Sequence, residues 1–404
     1  MHNTKMIKTI TIEELKPGMF VHKIVEQKGD LSVKSQGRVS SIEMVNVLKK
    51  RGVKTLAIDT EKAFTPETKE DIPAEKTAPE PVTTPAEKVK KVSLENELAR
   101  ASKLHAQGKE IQRILQTNLQ KEMPFDGSIP KEFSNKLVES VDRNPDALLC
   151  LTQIREKDDY LLEHSLNVAI LLANFAKFLG MSEEEVQDLS YAGFLHDLGK
   201  IKIPDEILHK PGKLTVSEME IMKKHVQYGV DHLKETDLDE ALIQAIGEHH
   251  ERLDGRGYPY GRKGDEISNA GRMLAVADMY DALTADRVYK AGMSSKKAFA
   301  VLMNESPVRL DKYYVQQFIK CLGVYPVGSL VMLSNERLAM VLQQNDSPFM
   351  PVVKVFYSVK QGHYLTPKDV DLSQEKTVTV TKAVIASEYN IDINAFFERS
   401  VSIG

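Results

Sequence analysis

Between Thr65 and Lys91 the chain carries Pro66, Pro73, Pro79, Pro81 and Pro85 among threonine, glutamate, lysine and alanine. The segment has no aromatic residue, and Ile72, Val82 and Val89 are its large apolar side chains. So little apolar surface cannot offset the entropy lost on ordering. Residues 65–92 are therefore expected to form a disordered, semi-extended linker. At 404 residues the chain is also too long for one ordinary core. The reading that follows is a small α+β domain over 1–64, a helical connector over 93–144, a mainly α domain over 145–325 and a β-rich extension over 326–404.

In the first unit, Lys8–Ile12, Met19–Val25 and Lys54–Ile58 read as strands, with a turn at Lys16-Pro17-Gly18. Ser40-Ser41-Ile42-Glu43 resembles a capping box opening a helix that runs to Gly52. After the linker, Leu94, Leu98, Ala101, Leu104, Ile111, Leu115 and Leu119 form a loose helical stripe, interrupted by His105 and Gly108. A helix packed on its own domain suits that stripe; a coiled-coil seam, and with it a homodimer, is the alternative. Asn144-Pro145 is a cap followed by proline at the first helical position, and the pattern stays helical to about 310. One glycine-rich loop, Gly255 to Gly264, breaks it. Beyond Gly323, Ser329–Leu333, Ala339–Leu342 and Val352–Phe356 read as short strands.

Composition removes several function classes. Lys plus Arg number 54 against 58 Asp plus Glu, so charge makes no case for a nucleic acid polymer or an anionic membrane as partner. Cys150 and Cys321 are the only cysteines, which excludes a disulfide framework and a zinc knuckle. The N-terminus lacks the apolar core of a signal peptide. The apolar runs are far shorter than the roughly 20 residues of a membrane span. A soluble, cytoplasmic protein is expected.

The chemistry is concentrated in the helical region. Seven of the eleven histidines fall between 164 and 250: His164, His196, His209, His225, His232, His249 and His250. A single histidine is more often a hydrogen-bonded core or surface residue than a ligand, and His209, His232 and His363 are left at that. The adjacent pairs His196-Asp197 and His249-His250, with His164, His225 and Asp278 in otherwise apolar helices, are different. Buried polar groups need partners, and a metal is the partner that neutral imidazole and carboxylate share. His164, His196, Asp197, His225, His249, His250 and Asp278 exceed the three protein ligands usual for a catalytic zinc. They suit two divalent ions bridged by a carboxylate, for which Asp197 is the choice. With no thiolate, the set suits Fe, Mn, Ni or Zn, among which donor chemistry does not choose. Two such ions about 3.5–4 Å apart polarise a phosphate and activate water. Lys200, after a Gly199 expected to end the helix of His196, can turn back to a phosphate oxygen or a leaving alkoxide. A zinc-peptidase His-Glu-x-x-His motif is excluded, because Asp254 stands where its second histidine belongs.

His196-Asp197-Leu198-Gly199-Lys200 followed by His249-His250-Glu251-Arg252-Leu253-Asp254-Gly255-Arg256-Gly257-Tyr258-Pro259 closely resembles the HD-GYP family of bacterial HD phosphohydrolases, whose members hydrolyse cyclic di-GMP. The likeness runs from about 155 to 325, and 6–62 resembles the small domain of unknown function often found ahead of such domains. The resemblance implies an HD-type helical fold and the same metal ligands: His164, His196, Asp197, His225, His249, His250 and Asp278, with Lys200 and Asp197 catalytic. It places Arg287 and Lys290, in Asp281-Ala-Leu-Thr-Ala-Asp-Arg-Val-Tyr-Lys290, on the substrate phosphates; Val288 departs from the family's proline there. Tyr258 is expected to stack on a guanine, and the Gly-Tyr-Pro loop to contact a diguanylate cyclase. Some members add a glutamate one turn before the first histidine ligand and hold a third metal. Tyr160 occupies that place, so a binuclear site and a linear product such as pGpG are implied. Cyclic di-GMP is the expected substrate and cyclic GMP-AMP the alternative. A catalytically weak cyclic-dinucleotide sensor or scaffold is the reading from another class.

Overall fold

A computed structural model describes residues 7–16, 19–27, 37–39, 42–50, 52–59, 92–121, 123, 126–153, 160–236, 238–285, 292–375, 377–393 and 396. Pro17 and Gly18, Ser40 and Ser41, and the linker segment 65–91 lie outside them. The chain divides into two units, Met1–Glu80 and Pro81–Gly404.

The first unit is an antiparallel sheet of β1 (Ile7–Thr11), β2 (Phe20–Gln27), β3 (Gly37–Arg38) and β4 (Val53–Asp59), in the order β1-β4-β2-β3, with helix α1 (Ile42–Lys50). Central β4 pairs Leu56 with Ile10 of β1 and with Ile24 of β2. Ile10, Val21, Val45, Val53, Leu56 and Ile58 are all buried, forming one small core.

The second unit opens with α2 (Leu94–Gln120), capped by Ser93, whose hydroxyl accepts from the Asn96 N–H. It continues with α3 (Ser128–Arg143), α4 (Pro145–Leu151), α5 (Tyr160–Phe178) and α6 (Glu183–Leu195). The apolar stripe of α2 joins the same core as α5 and α6. Gly108 marks the closest approach: a Cβ there would lie 2.5 Å from Phe133 and 2.9 Å from Leu166. Glu97, fully buried on α2, accepts from Ser140 Oγ at 2.8 Å and from Arg143 Nε and Nη2 at 2.9 Å each, so α2 is tied to α3 by charge-assisted bonds. Leu166 and Val168 through Ala173 are buried all round the helix, as a central helix must be.

Beyond α6 come a short 3-10 segment (Leu198–Lys202), α7 (Asp205–Leu208), α8 (Val216–Leu233), α9 (Glu240–Gly247), α10 (Asn269–Thr284), α11 (Ser295–Glu305) and α12 (Lys312–Leu322). Thr215 and Glu218 form the capping box that starts α8, and Asn144 caps α4. One expectation is corrected. The helix carrying His196 stops at Leu195, and Gly199 lies inside the 3-10 segment rather than ending an α-helix. The glycine is required for another reason: a Cβ at 199 would sit 2.0 Å from the His225 carbonyl oxygen and 2.4 Å from Gly229 N. The backbone there touches α8 directly.

The C-terminal part is a five-stranded antiparallel sheet of β5 (Leu330–Leu333), β6 (Arg337–Gln343), β7 (Val352–Ser358), β8 (His363–Asp371) and β9 (Val380–Val384), ordered β8-β7-β6-β5-β9. Strands β5 to β7 match the apolar runs read from the sequence; β8 and β9 do not. Both are edge strands; β8 is mostly exposed and holds Pro367, Lys368, Asp369 and Asp371, and β9 has one buried residue of five, so neither shows a one-sided apolar pattern. Among the described residues no helix is long and apolar enough to cross a membrane.

Replacing Glu97 by Ala leaves a partly buried guanidinium without its carboxylate. The variant is expected to lose about 2 kcal/mol of stability and several degrees of melting temperature. A thermal melt indistinguishable from wild type would mean that the α2–α3 tie carries no weight.

Candidate metal centre

Five elements bring the seven candidate ligands together. His164 comes from α5, His196 and Asp197 from the turn after α6, His225 from α8, His249 and His250 from the turn after α9, and Asp278 from α10. His164, His196, Asp197, His225, His249 and Asp278 are buried, and His250 is about one-quarter exposed at its side chain.

The imidazoles are aimed by their second nitrogens. His196 Nδ1 donates to the Gly193 carbonyl at 2.8 Å, His225 Nδ1 to Met222 at 2.7 Å and His249 Nδ1 to Ile246 at 2.6 Å. A carbonyl can only accept, so each Nδ1 carries the proton and each Nε2 presents a lone pair inward. His164 follows the same logic with a carboxylate, its Nδ1 lying 2.8 Å from Asp281 Oδ2.

Asp197 stands between two groups of these nitrogens. Its Oδ1 lies 3.4 Å from His225 Nε2 and 3.9 Å from His249 Nε2. Its Oδ2 lies 3.4 Å from both His164 Nε2 and His196 Nε2. Asp278 Oδ1 is 3.0 Å from His164 Nε2 and 3.8 Å from His196 Nε2, while its Oδ2 is 3.7 Å from His250 Nδ1. His225, His249 and His250 can thus hold one ion, and His164, His196 and Asp278 another. His196 Nε2 and Asp197 Oδ1 are buried with no hydrogen-bond partner, the condition a metal would relieve. The donor set of nitrogen and oxygen without sulfur fits a divalent transition metal.

The protonation states mostly suit that role. Burial pushes His225 down to about 3 and His250 to about 4, and holds His249 well below its ordinary value, so all three are neutral near pH 7. Burial alone would raise Asp197, but Lys200, His196 and His164 beside it keep its carboxyl well below the usual range. His164 is the exception. Burial opposes its charge, yet hydrogen bonds to Asp278 and Asp281 prevail and raise it to about 9.

Lys200 donates to Asp197 Oδ2 at 2.5 Å and is one-fifth exposed, so it joins the centre to solvent. Tyr258 lies against His250, ring centroids 4.7 Å apart and tilted 38°, with Lys223 Nζ 5.6 Å from its ring centroid. Arg287 and Lys290 lie outside the described residues. Asp281 is a site residue the sequence reading passed over. It follows Asp278 by three positions on a helix, hence on the same face, which is the pattern that would have revealed it. Glu248 and Glu251, flanking the His249-His250 pair, were also missed. Both are buried and grip the glycine-rich loop.

Three domain families match the chain. The HD domain matches residues 149–313, a domain of unknown function (DUF3391) matches 7–127, and the KOW domain associated with HD domain matches 330–391. A cyclic di-GMP phosphodiesterase of Pseudomonas aeruginosa is 34% identical over 374 residues, covering 91% of this chain and 90% of its own. A 3'3'-cGAMP-specific phosphodiesterase of Vibrio cholerae is 45% identical over 159 residues, or 39% of this chain and 30% of that one. Among solved structures, an HDG"Y"P protein of Bdellovibrio bacteriovorus aligns at 18% identity with a TM-score of 0.48, covering 78% of this chain and 99% of that one. A helical domain with a buried His–Asp centre matched by the HD domain places the chain among HD phosphohydrolases. Within them, it belongs to the HD-GYP family.

A metal ion held by His164 would compete with its proton. Loading the metal-free protein with Mn²⁺ near pH 7.5 is expected to release about one proton per chain, because His164 must give up the proton it shares with Asp278. Affinity should therefore rise with pH until the value of about 9 is passed. A pH-stat titration checks this, and uptake with no proton released would show His164 to be neutral already.

Proposed function

We propose that the chain is a metal-dependent phosphodiesterase that opens a cyclic dinucleotide to a linear one, with two divalent transition-metal ions, Fe or Mn first, held on either side of Asp197. The observation that carries this reading is the carboxylate of Asp197 facing a separate histidine pair with each oxygen, while His196 Nε2 and its own Oδ1 lack any partner. The names of the relatives from Pseudomonas aeruginosa and Vibrio cholerae support a cyclic-dinucleotide substrate, cyclic di-GMP first and cyclic GMP-AMP next.

His225, His249 and His250 would hold one ion and His164, His196 and Asp278 the other, with Asp197 shared. Ions so held supply a nucleophilic water and neutralise phosphoryl charge. The chain's own groups do the rest. The carbonyls of Gly193, Met222 and Ile246 fix the tautomer of the imidazoles and keep them aimed, so no rearrangement is needed as charge develops. Lys200 Nζ, held by Asp197 at the solvent-facing margin, contacts a phosphoryl oxygen and offers a proton to the departing ribose alkoxide. Tyr258 faces a base of the substrate, Arg287 and Lys290 take its phosphates, and the loop around Tyr258 is the surface for a diguanylate cyclase.

Anaerobically purified protein, assayed for metal and offered cyclic di-GMP and cyclic GMP-AMP separately, tests the reading. Asp197→Ala is expected to lose metal and turnover together. Lys200→Ala should keep its metal while kcat falls about 100-fold. Near-native hydrolysis by Asp197→Ala would end the binuclear mechanism. A metal-loaded wild type that binds a dinucleotide but never cleaves it would make the protein a sensor.

A further inference from the structure

The glycine-rich loop is built directly on the turn that carries His249 and His250. Tyr258 N donates to the His250 carbonyl at 3.2 Å, and Gly255 N to the Arg252 carbonyl at 2.8 Å. At Gly257 the two backbones touch: a Cβ there would lie 2.5 Å from both Glu251 Cα and Arg252 N. Glu251, only 3% exposed, reaches across the loop, and its Oε1 accepts from Tyr260 N at 2.7 Å and Gly261 N at 3.1 Å. Its Oε2 is buried without a hydrogen-bond partner. A buried carboxylate with one oxygen unpaired is costly, so its retention needs a return. On the other side of the histidine pair, fully buried Glu248 pairs with Arg262 and accepts from Ser268 N at 2.9 Å, anchoring the far end of the loop.

We propose that Glu251 is a positioning residue for the reaction: its carboxylate ties the loop to the histidine turn and thereby holds Tyr258 beside the metal centre. The residues between the anchored points, Tyr258 and Pro259, have no side-chain tie of their own to this turn beyond the contact of the Tyr258 ring with His250. Removing the acceptor frees the amides of Tyr260 and Gly261 and leaves Tyr258 tied to the turn only from its N-terminal side, by its own N–H to the His250 carbonyl. The role of Tyr258 toward a substrate base is taken from the proposed function, and the inference rests on it to that extent.

A double-mutant cycle on the full-length, metal-loaded protein tests the proposal. Glu251→Ala is expected to retain its metal and to raise KM for the cyclic dinucleotide about tenfold, the size of one lost base–aromatic stack. Tyr258→Ala should do the same, and the double variant should be no worse than either single one. Hydrogen exchange over 258–262 should quicken in Glu251→Ala. Glu251→Gln, which keeps an acceptor oxygen, should fall between wild type and Glu251→Ala in both readouts. Additive losses, unaltered exchange in the loop, or loss of metal from Glu251→Ala would each overturn the positioning role. If the wild type cleaves no dinucleotide, the functional reading fails, while exchange and metal content still decide whether Glu251 clamps the loop.

Discussion

Three imidazoles at the centre give their Nδ1 proton to the carbonyl three residues earlier, in Gly193, Met222 and Ile246. Everything else at the centre depends on this. For His196 and His249 the acceptor belongs to the last turn of a helix, where carbonyls lack partners within the helix. One bond therefore satisfies a helix end, fixes a tautomer and directs a lone pair. His196 and His249 are set where helices finish, and the finishing turn supplies their acceptors. His164, within α5, uses Asp281 from α10 instead. Together with Asp278, this carboxylate outweighs burial and draws His164 toward the charged form.

Much of this was legible in the sequence, for physical reasons that differ from residue to residue. His164 stands out because α5 is otherwise largely apolar, and an unpaired polar group in such company is expensive. Caps at Asn144 and Thr215 were legible because their bonds are local. Strands β5 to β7 showed an apolar face that β8 and β9, at the edges, have no need of. What escaped were groups whose purpose lies in another segment. Asp281 reads as an ordinary helix-face acid until His164 is placed against it. Glu248 and Glu251 read as solvated charges until the loop folds back over them. Gly199 was noticed for the wrong reason, since its contact with α8 is made across 26 residues of chain.

The arrangement also divides labour between parts of the helical unit. The buried stripe of α2 and the Glu97–Arg143 tie close the core on one side. Among the described residues, the seven histidines and aspartates of the centre come from α5, α8, α10 and the turns that follow α6 and α9. The five-stranded sheet shares the hydrophobic core but contributes no ligand among the described residues.

The contact at Gly199 has a further consequence. His225 belongs to one ligand group and His196 to the other, and the chain leading from His196 rests on the main chain of His225 with no side chain between them. The spacing between the groups is thus set in part by peptide against peptide, whose dimensions do not vary with residue type. A change of side chain elsewhere around the centre leaves the length of this ruler as it is, because peptide dimensions are the same for every residue.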